Sequence, residues 1–182
     1  RVVRPGTATG DTLPLIARQA GDEPALISRA GRDISVVVCP DRVRAASAAV
    51  EHLEADVLVL DDGFGHRRLE RDMDLLAFSE SRLRAPARTF PAGYLREPVE
   101  AVARAAAICV IGEGRMAPPA WAAGKPVLRF RRRVRGVAKL AAWRESSGDE
   151  LELEGIGPAL EGRRVIAFCG LADPGGFHEL LA

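Results

Sequence analysis

Cysteine is scarce and unpatterned. Cys39, Cys109 and Cys169 lie far apart, are odd in number, and each sits in an apolar run. That spacing holds neither a metal nor a redox pair, so buried free thiols in a reducing compartment are expected. Lysine is scarcer still, with Lys125 and Lys139 alone. A phosphate-cradling GxxxxGK loop must continue into Ser or Thr, but Lys125 is followed by Pro126, and Pro119 stands where the first glycine would fall. No apolar run approaches the roughly 20 residues that cross a bilayer, and no signal-peptide pattern is present. Net charge is only +1, which gives no case for nucleic acid. A cytoplasmic protein is expected, with attachment to a membrane surface left open.

What is present is an ordinary globular composition. The 182 residues are 47% hydrophobic and 28% charged, enough for one domain or for one domain and part of a second. No internal repeat is found. Charge is uneven, because Arg129, Arg131, Arg132, Arg133 and Arg135 crowd together. They form either a solvated strand or loop face, or a surface for an anion or an anionic membrane. The chain opens on Arg1 inside an Arg/Gly/Thr stretch and stops at Ala182, shortly after a helical pattern begins near Gly176. A fragment of a longer product is expected.

Residues 34–39 form a short β-branched run ended by Pro40, the pattern of a buried parallel strand. From Asp41 the apolar positions Val43, Ala46, Ala49, Val50 and Leu53 recur at helical spacing, with Asp41 as N-cap. Residues 56–60 read as a second buried strand stopped by Asp61-Asp62-Gly63. Together the three segments predict a βαβ unit with a right-handed crossover. Further strands are expected over residues 74–78 and 108–111, a helix over 97–107, and buried-strand character again over 165–170. The Pro/Gly breakers around residue 125 suggest a boundary between an α/β domain (1–125) and the start of a smaller α+β region (126–182).

Chemistry concentrates after the second expected strand. Carboxylates at the carboxyl end of a buried strand face the ligand crevice of open α/β sheets, and a rigid strand-tip carboxylate suits a hard cation. An Asp-Asp-Gly turn that merely closes a strand is equally common chemistry. The residues that follow, Phe64-Gly65-His66-Arg67-Arg68, add an imidazole and two guanidinium groups. A loop so rich in polar chemistry points to phosphate handling or acid/base work.

The segment 61–66 resembles the DDGxQH signature of the tetraacyldisaccharide 4'-kinases. Gly21-Asp22-Glu23-Pro24 is similar to that family's GDEP motif, and residues 91–98, Pro-Ala-Gly-Tyr-Leu-Arg-Glu-Pro, to its PAGPLREP motif. Residues 168–174 with Phe177 resemble its FAGIxNPxxF segment. The four occur in family order and cover nearly the whole chain. Gly65 stands in place of the family's Gln and Tyr94 in place of a Pro; the Gly-Asn that precedes the PAG motif is absent.

The resemblance implies a P-loop-NTPase-like, Rossmann-like α/β fold with a mostly parallel sheet, its phosphate loop lying upstream of the GDEP motif. Without that loop, residues 1–182 alone are expected to bind ATP weakly. It implies transfer of the γ-phosphate of ATP to the 4'-hydroxyl of a tetraacyl glucosamine disaccharide 1-phosphate, at the cytoplasmic face of the inner membrane. Asp22 then orients or deprotonates the hydroxyl, and Asp61, Asp62 and Glu97 are candidates for Mg²⁺. Arg96 and His66 sit against phosphate, and Arg67 binds substrate. Two other readings stand beside this one: another P-loop-like phosphotransferase, and a divergent paralogue that binds lipid or nucleotide without turnover.

Overall fold

The computed structural model describes residues 1–5, 12–31, 33–112, 117–146, 151–169 and 177. Internal packing divides the chain into two compact units, Arg1–Leu58 with Val134–Ala182, and Val59–Arg133. This interleaved division differs from a single boundary near residue 125.

In the first unit, β1 (Val2–Val3) pairs antiparallel with β2 (Val36–Val37), Val2 opposite Val37 and Val3 opposite Val36. Helix α1 (Thr12–Ala20) packs on α2 (Asp22–Ala30). The buried face of α2 is Ala25, Ser28 and Arg29. The Arg29 guanidinium stacks 4.2 Å from the ring centre of Trp143 in α5 (Leu140–Glu145), a cation–π contact that lets a cation lie in the interior. Helix α3 (Arg42–Leu53) starts as expected. Asp41 Oδ1 accepts from the Val43 and Arg44 amides at 3.0 and 3.2 Å, satisfying two of the free N–H groups of the first turn. A short α6 (Ile156–Leu160) follows later in this unit.

The second unit is built on a parallel sheet in the order β3 (Leu75–Ser79), β4 (Ala107–Ile111), β5 (Val127–Phe130). Central β4 reads Ala-Ile-Cys-Val-Ile, and its first four residues are buried, as a strand covered on both faces requires. Its core joins Leu83 from α4 (Glu80–Arg84), Ile108, Val110 and Ala122, with Phe78, Val102, Trp121 and Val127 packed against them. Phe78 and Trp121 meet edge to face at 5.5 Å.

Four expectations are corrected. The segment 34–39 is not a buried parallel strand; only Val36–Val37 pair, antiparallel and half-buried. Residues 56–60 form no strand, and Val57 and Val59 are 78% and 92% exposed. A strand exists only where a neighbour supplies ladder hydrogen bonds, and among the described residues none reaches this segment. The parallel crossover therefore occurs later, from β3 to β4. Residues 165–168 likewise form no strand, with Ile166 and Phe168 almost fully exposed. The expected helix 97–107 is a 3-10 helix, Val99–Arg104, opening after Pro98. The motif residues 170–174 and the helix start near Gly176 lie outside the described residues.

Candidate active site

The acidic loop is a chain of tight turns. Asp62 takes a left-handed conformation, φ 53°, a region that short polar residues tolerate better than most. Gly63 follows, buried so closely that an added Cβ would lie 2.7 Å from Leu60 Cβ. The His66 amide donates to Gly63 O at 2.9 Å and the Arg67 amide to Gly65 O at 3.1 Å. At the loop's end Arg71 donates to Leu69 O at 2.7 Å and grips Asp74 with Nε and Nη2 at 2.8 and 3.1 Å. Arg71 and Asp74 are mostly buried, so this fork fastens the loop to the start of β3.

A second loop brings the other motif residues. The Gly93 amide donates to Thr89 O at 3.0 Å, Leu95 to Arg88 O at 3.1 Å, and Phe90 to Leu95 O at 2.8 Å, around a cis Phe90–Pro91 bond. A side chain at Gly93 would run into the Arg88 carbonyl, so the turn admits glycine alone. Tyr94 is partly buried, and its hydroxyl finds no hydrogen-bond partner among the described residues.

Past that turn, the two loops meet. Arg96 Nη1 pairs with Asp62 Oδ2. Glu97 is held by Arg104, whose Nη1 and Nη2 donate to Oε2 and Oε1 at 3.0 and 3.1 Å, and Arg67 stands 3.5 Å from Oε2. Arg104 also donates to Phe64 O at 3.3 Å and lies 4.1 Å from the Phe64 ring centre. The Arg104 hydrogen bonds first, and the positive charge of Arg104 and Arg67 besides, hold the Glu97 carboxyl below the usual carboxylate range.

Asp62, Arg67, Arg96 and Glu97 thus come together within Val59–Arg133, with Asp61 and His66 exposed on the same loop. Among the described residues no three His, Cys, Asp or Glu side chains converge to hold a metal ion; Asp61, Asp62 and Glu97 do not form a ligand trio. Asp22 belongs to the other unit. It is the first residue of α2 rather than its cap, a place taken by Gly21. Its Oδ1 accepts from the Glu23 amide at 3.1 Å. The sequence reading missed Arg104. The available signal was a single charge in the otherwise apolar stretch 101–111.

The family described as tetraacyldisaccharide-1-P 4'-kinase matches residues 4–182. The chain belongs to this family. Its relatives include two named tetraacyldisaccharide 4'-kinase. That of Pelobacter propionicus is 39% identical over 173 residues, covering 94% of this chain and 45% of the relative. That of Aquifex aeolicus is 36% identical over 163 residues, covering 90% of this chain and 48% of the relative. The "apo" form of LpxK from Aquifex aeolicus in complex with ATP superposes with a TM-score of 0.68 at 34% identity, over 91% of this chain and 48% of that one. This 4'-kinase family chain therefore has the α/β P-loop kinase fold and spans about half the length of the curated relatives it matches.

Proposed function

We propose that the kinase containing this chain transfers the γ-phosphate of ATP to the 4'-hydroxyl of a tetraacyl glucosamine disaccharide 1-phosphate in lipid A synthesis. The observation that carries the reading is the junction of the acidic loop with the Arg96-Glu97 segment, in a chain whose family match runs over residues 4–182.

Phosphoryl transfer demands positioning and charge neutralisation more than covalent chemistry. Mg²⁺ is normally held by one or two carboxylates together with substrate phosphates and water, not by an all-protein cage. The adjacent exposed carboxylates of Asp61 and Asp62 fit that donor set. When bound, the ion would neutralise charge on the phosphate oxygens. Arg96, highly exposed, is free to exchange Asp62 for a phosphate oxygen without changing its charge environment. His66 and Arg67 add donors on the same loop. Asp22, at the start of the GDEP helix, is the candidate for orienting or deprotonating the sugar hydroxyl.

An acylated substrate calls for contact with a membrane surface. The exposed run Arg129, Arg131, Arg132 and Arg133, beside exposed Leu128 and Phe130, supports peripheral association with the cytoplasmic face of the inner membrane. No helix among the described residues is long and apolar enough to cross a membrane.

The test is phosphate transfer from labelled ATP to the disaccharide by the whole kinase. Asp61→Ala or Asp62→Ala should lower kcat about 100-fold or more. Asp22→Asn should lower it by roughly 10²–10⁴, with ATP affinity preserved. Near-normal turnover in all three variants would leave the acidic loop as a turn and overturn these assignments, whereas no transfer by the unaltered kinase would favour the non-catalytic reading, which Gly65 in place of Gln supports.

A further inference from the structure

We propose that Arg104 is a positioning residue: its guanidinium fixes Glu97 and the Phe64–Gly65 backbone as one unit, and so sets the acidic loop against the Arg96-Glu97 segment. This rests on the phosphotransfer reading of that loop.

The geometry separates Arg104 from the other contacts between the loops. The Arg96–Asp62 pair joins side chains 79% and 57% exposed, and such ion pairs are weak and salt-screened. The Arg67–Glu97 pair is longer, and Arg67 is 70% exposed. Arg104 and Glu97, by contrast, are 30% and 27% exposed and meet through two parallel N–H donors. That fork fixes angle as well as distance. The same guanidinium binds the Phe64 carbonyl and covers the Phe64 ring. Directly beside it, a Cβ on Gly65 would lie 3.8 Å from Glu97 Oε1, so the loop backbone passes over the carboxylate.

Arg104 is also anchored from behind. It ends the 3-10 helix, and Ala105, Ala107 and Ile108 after it are 2%, 7% and 1% exposed. The Ala106 amide donates to Asp74 O at 2.8 Å, and Arg71 grips the same Asp74 from the end of the acidic loop. One side chain, at the end of the 3-10 helix that leads into the best-packed strand, therefore reaches both site loops, neither of which has regular structure to hold it.

The experiment uses the whole kinase and compares Arg104→Gln, Arg104→Lys, Glu97→Gln and the Arg104→Gln/Glu97→Gln double variant. Arg104→Gln should lower kcat about 10- to 100-fold with a smaller change in KM for ATP, the scale of a site misplaced by roughly 1 Å. Arg104→Lys restores charge without the fork and should recover only part of that loss. The double variant should be no slower than the slower single variant, as expected when two residues act as a unit. Amide hydrogen exchange over residues 62–67 should quicken in both single Gln variants, independently of turnover. Normal turnover in Arg104→Gln with a deficient Glu97→Gln would overturn the positioning role and leave the phosphotransfer reading intact. Normal turnover in Glu97→Gln would remove Glu97 from the site and the proposal with it. Multiplying losses in the double variant would show independent roles and overturn the proposal. If Arg104→Gln does not fold, Arg104→Lys decides: full turnover there shows that no fork is needed.

Discussion

Replacing Lys125 by methionine keeps the length of the side chain and removes its ammonium, which donates to Ala103 O at 2.8 Å and Ala105 O at 2.7 Å. Those carbonyls end the 3-10 helix that carries Arg104, where the helix itself supplies no donors. Hydrogen bonds to a charged group contribute about 1.5–3 kcal/mol each when shielded. Lys125 is only half-buried, and water reaches the carbonyls once the ammonium is gone, so the two together should be worth about 2 kcal/mol. For a chain of 182 residues that corresponds to a fall in Tm of about 4–8 °C. Calorimetry of Lys125→Met beside the parent protein measures it, with ATP affinity followed in parallel. An unchanged Tm together with weakened ATP binding would refute the argument, because Lys125 would then be a phosphate-binding lysine rather than a cap.

Tyr94→Phe removes a buried hydroxyl that lacks a partner among the described residues and should raise stability by about 1 kcal/mol, read from urea midpoints; a loss of that size would reveal a partner for the hydroxyl. Asp41→Ala should cost about 1 kcal/mol through loss of the α3 cap, and Asp41→Asn much less; equal losses in thermal denaturation would argue against capping. Glu97 titrates lower in the folded state than its ordinary value of about 4.5, so the unfolded chain binds more protons just below that pH. The stability difference between the parent and Glu97→Gln should then be constant above about pH 4.5 and shrink as pH falls through the lowered pKa. Urea titrations of both proteins from neutral pH downward check this, and a difference that grows on acidification would reverse the assignment.

What could be read from the sequence was local or motif-borne. The continuous apolar run 108–111 marked a strand without reference to anything distant, and Asp41 announced its helix because a cap and its amides lie within three residues. The DDG and LREP motifs identified the two loops that meet through Asp62 and Arg96. Residues 56–60 were misread for the opposite reason. Their apolar content is that of a strand, but a ladder depends on a neighbour that composition does not reveal. The helix expected over 97–107 is shorter, because the chain has only Val99–Arg104 before it must enter β4 at Ala107, and it winds more tightly. Arg104 escaped notice because its significance lies in Phe64, forty positions earlier in the chain.

The crowding at Gly63 and Gly93 has a bearing on how genetics of this site would be interpreted. Leu60 Cβ at one position and the Arg88 carbonyl at the other leave no room for even a methyl group. A saturation library scored by growth would therefore rank both glycines beside the aspartates, although neither has a side chain that can touch phosphate. Essentiality at these two codons measures space. Chemistry is tested only at neighbours where an isosteric exchange, Asp to Asn or Glu to Gln, leaves the volume unchanged.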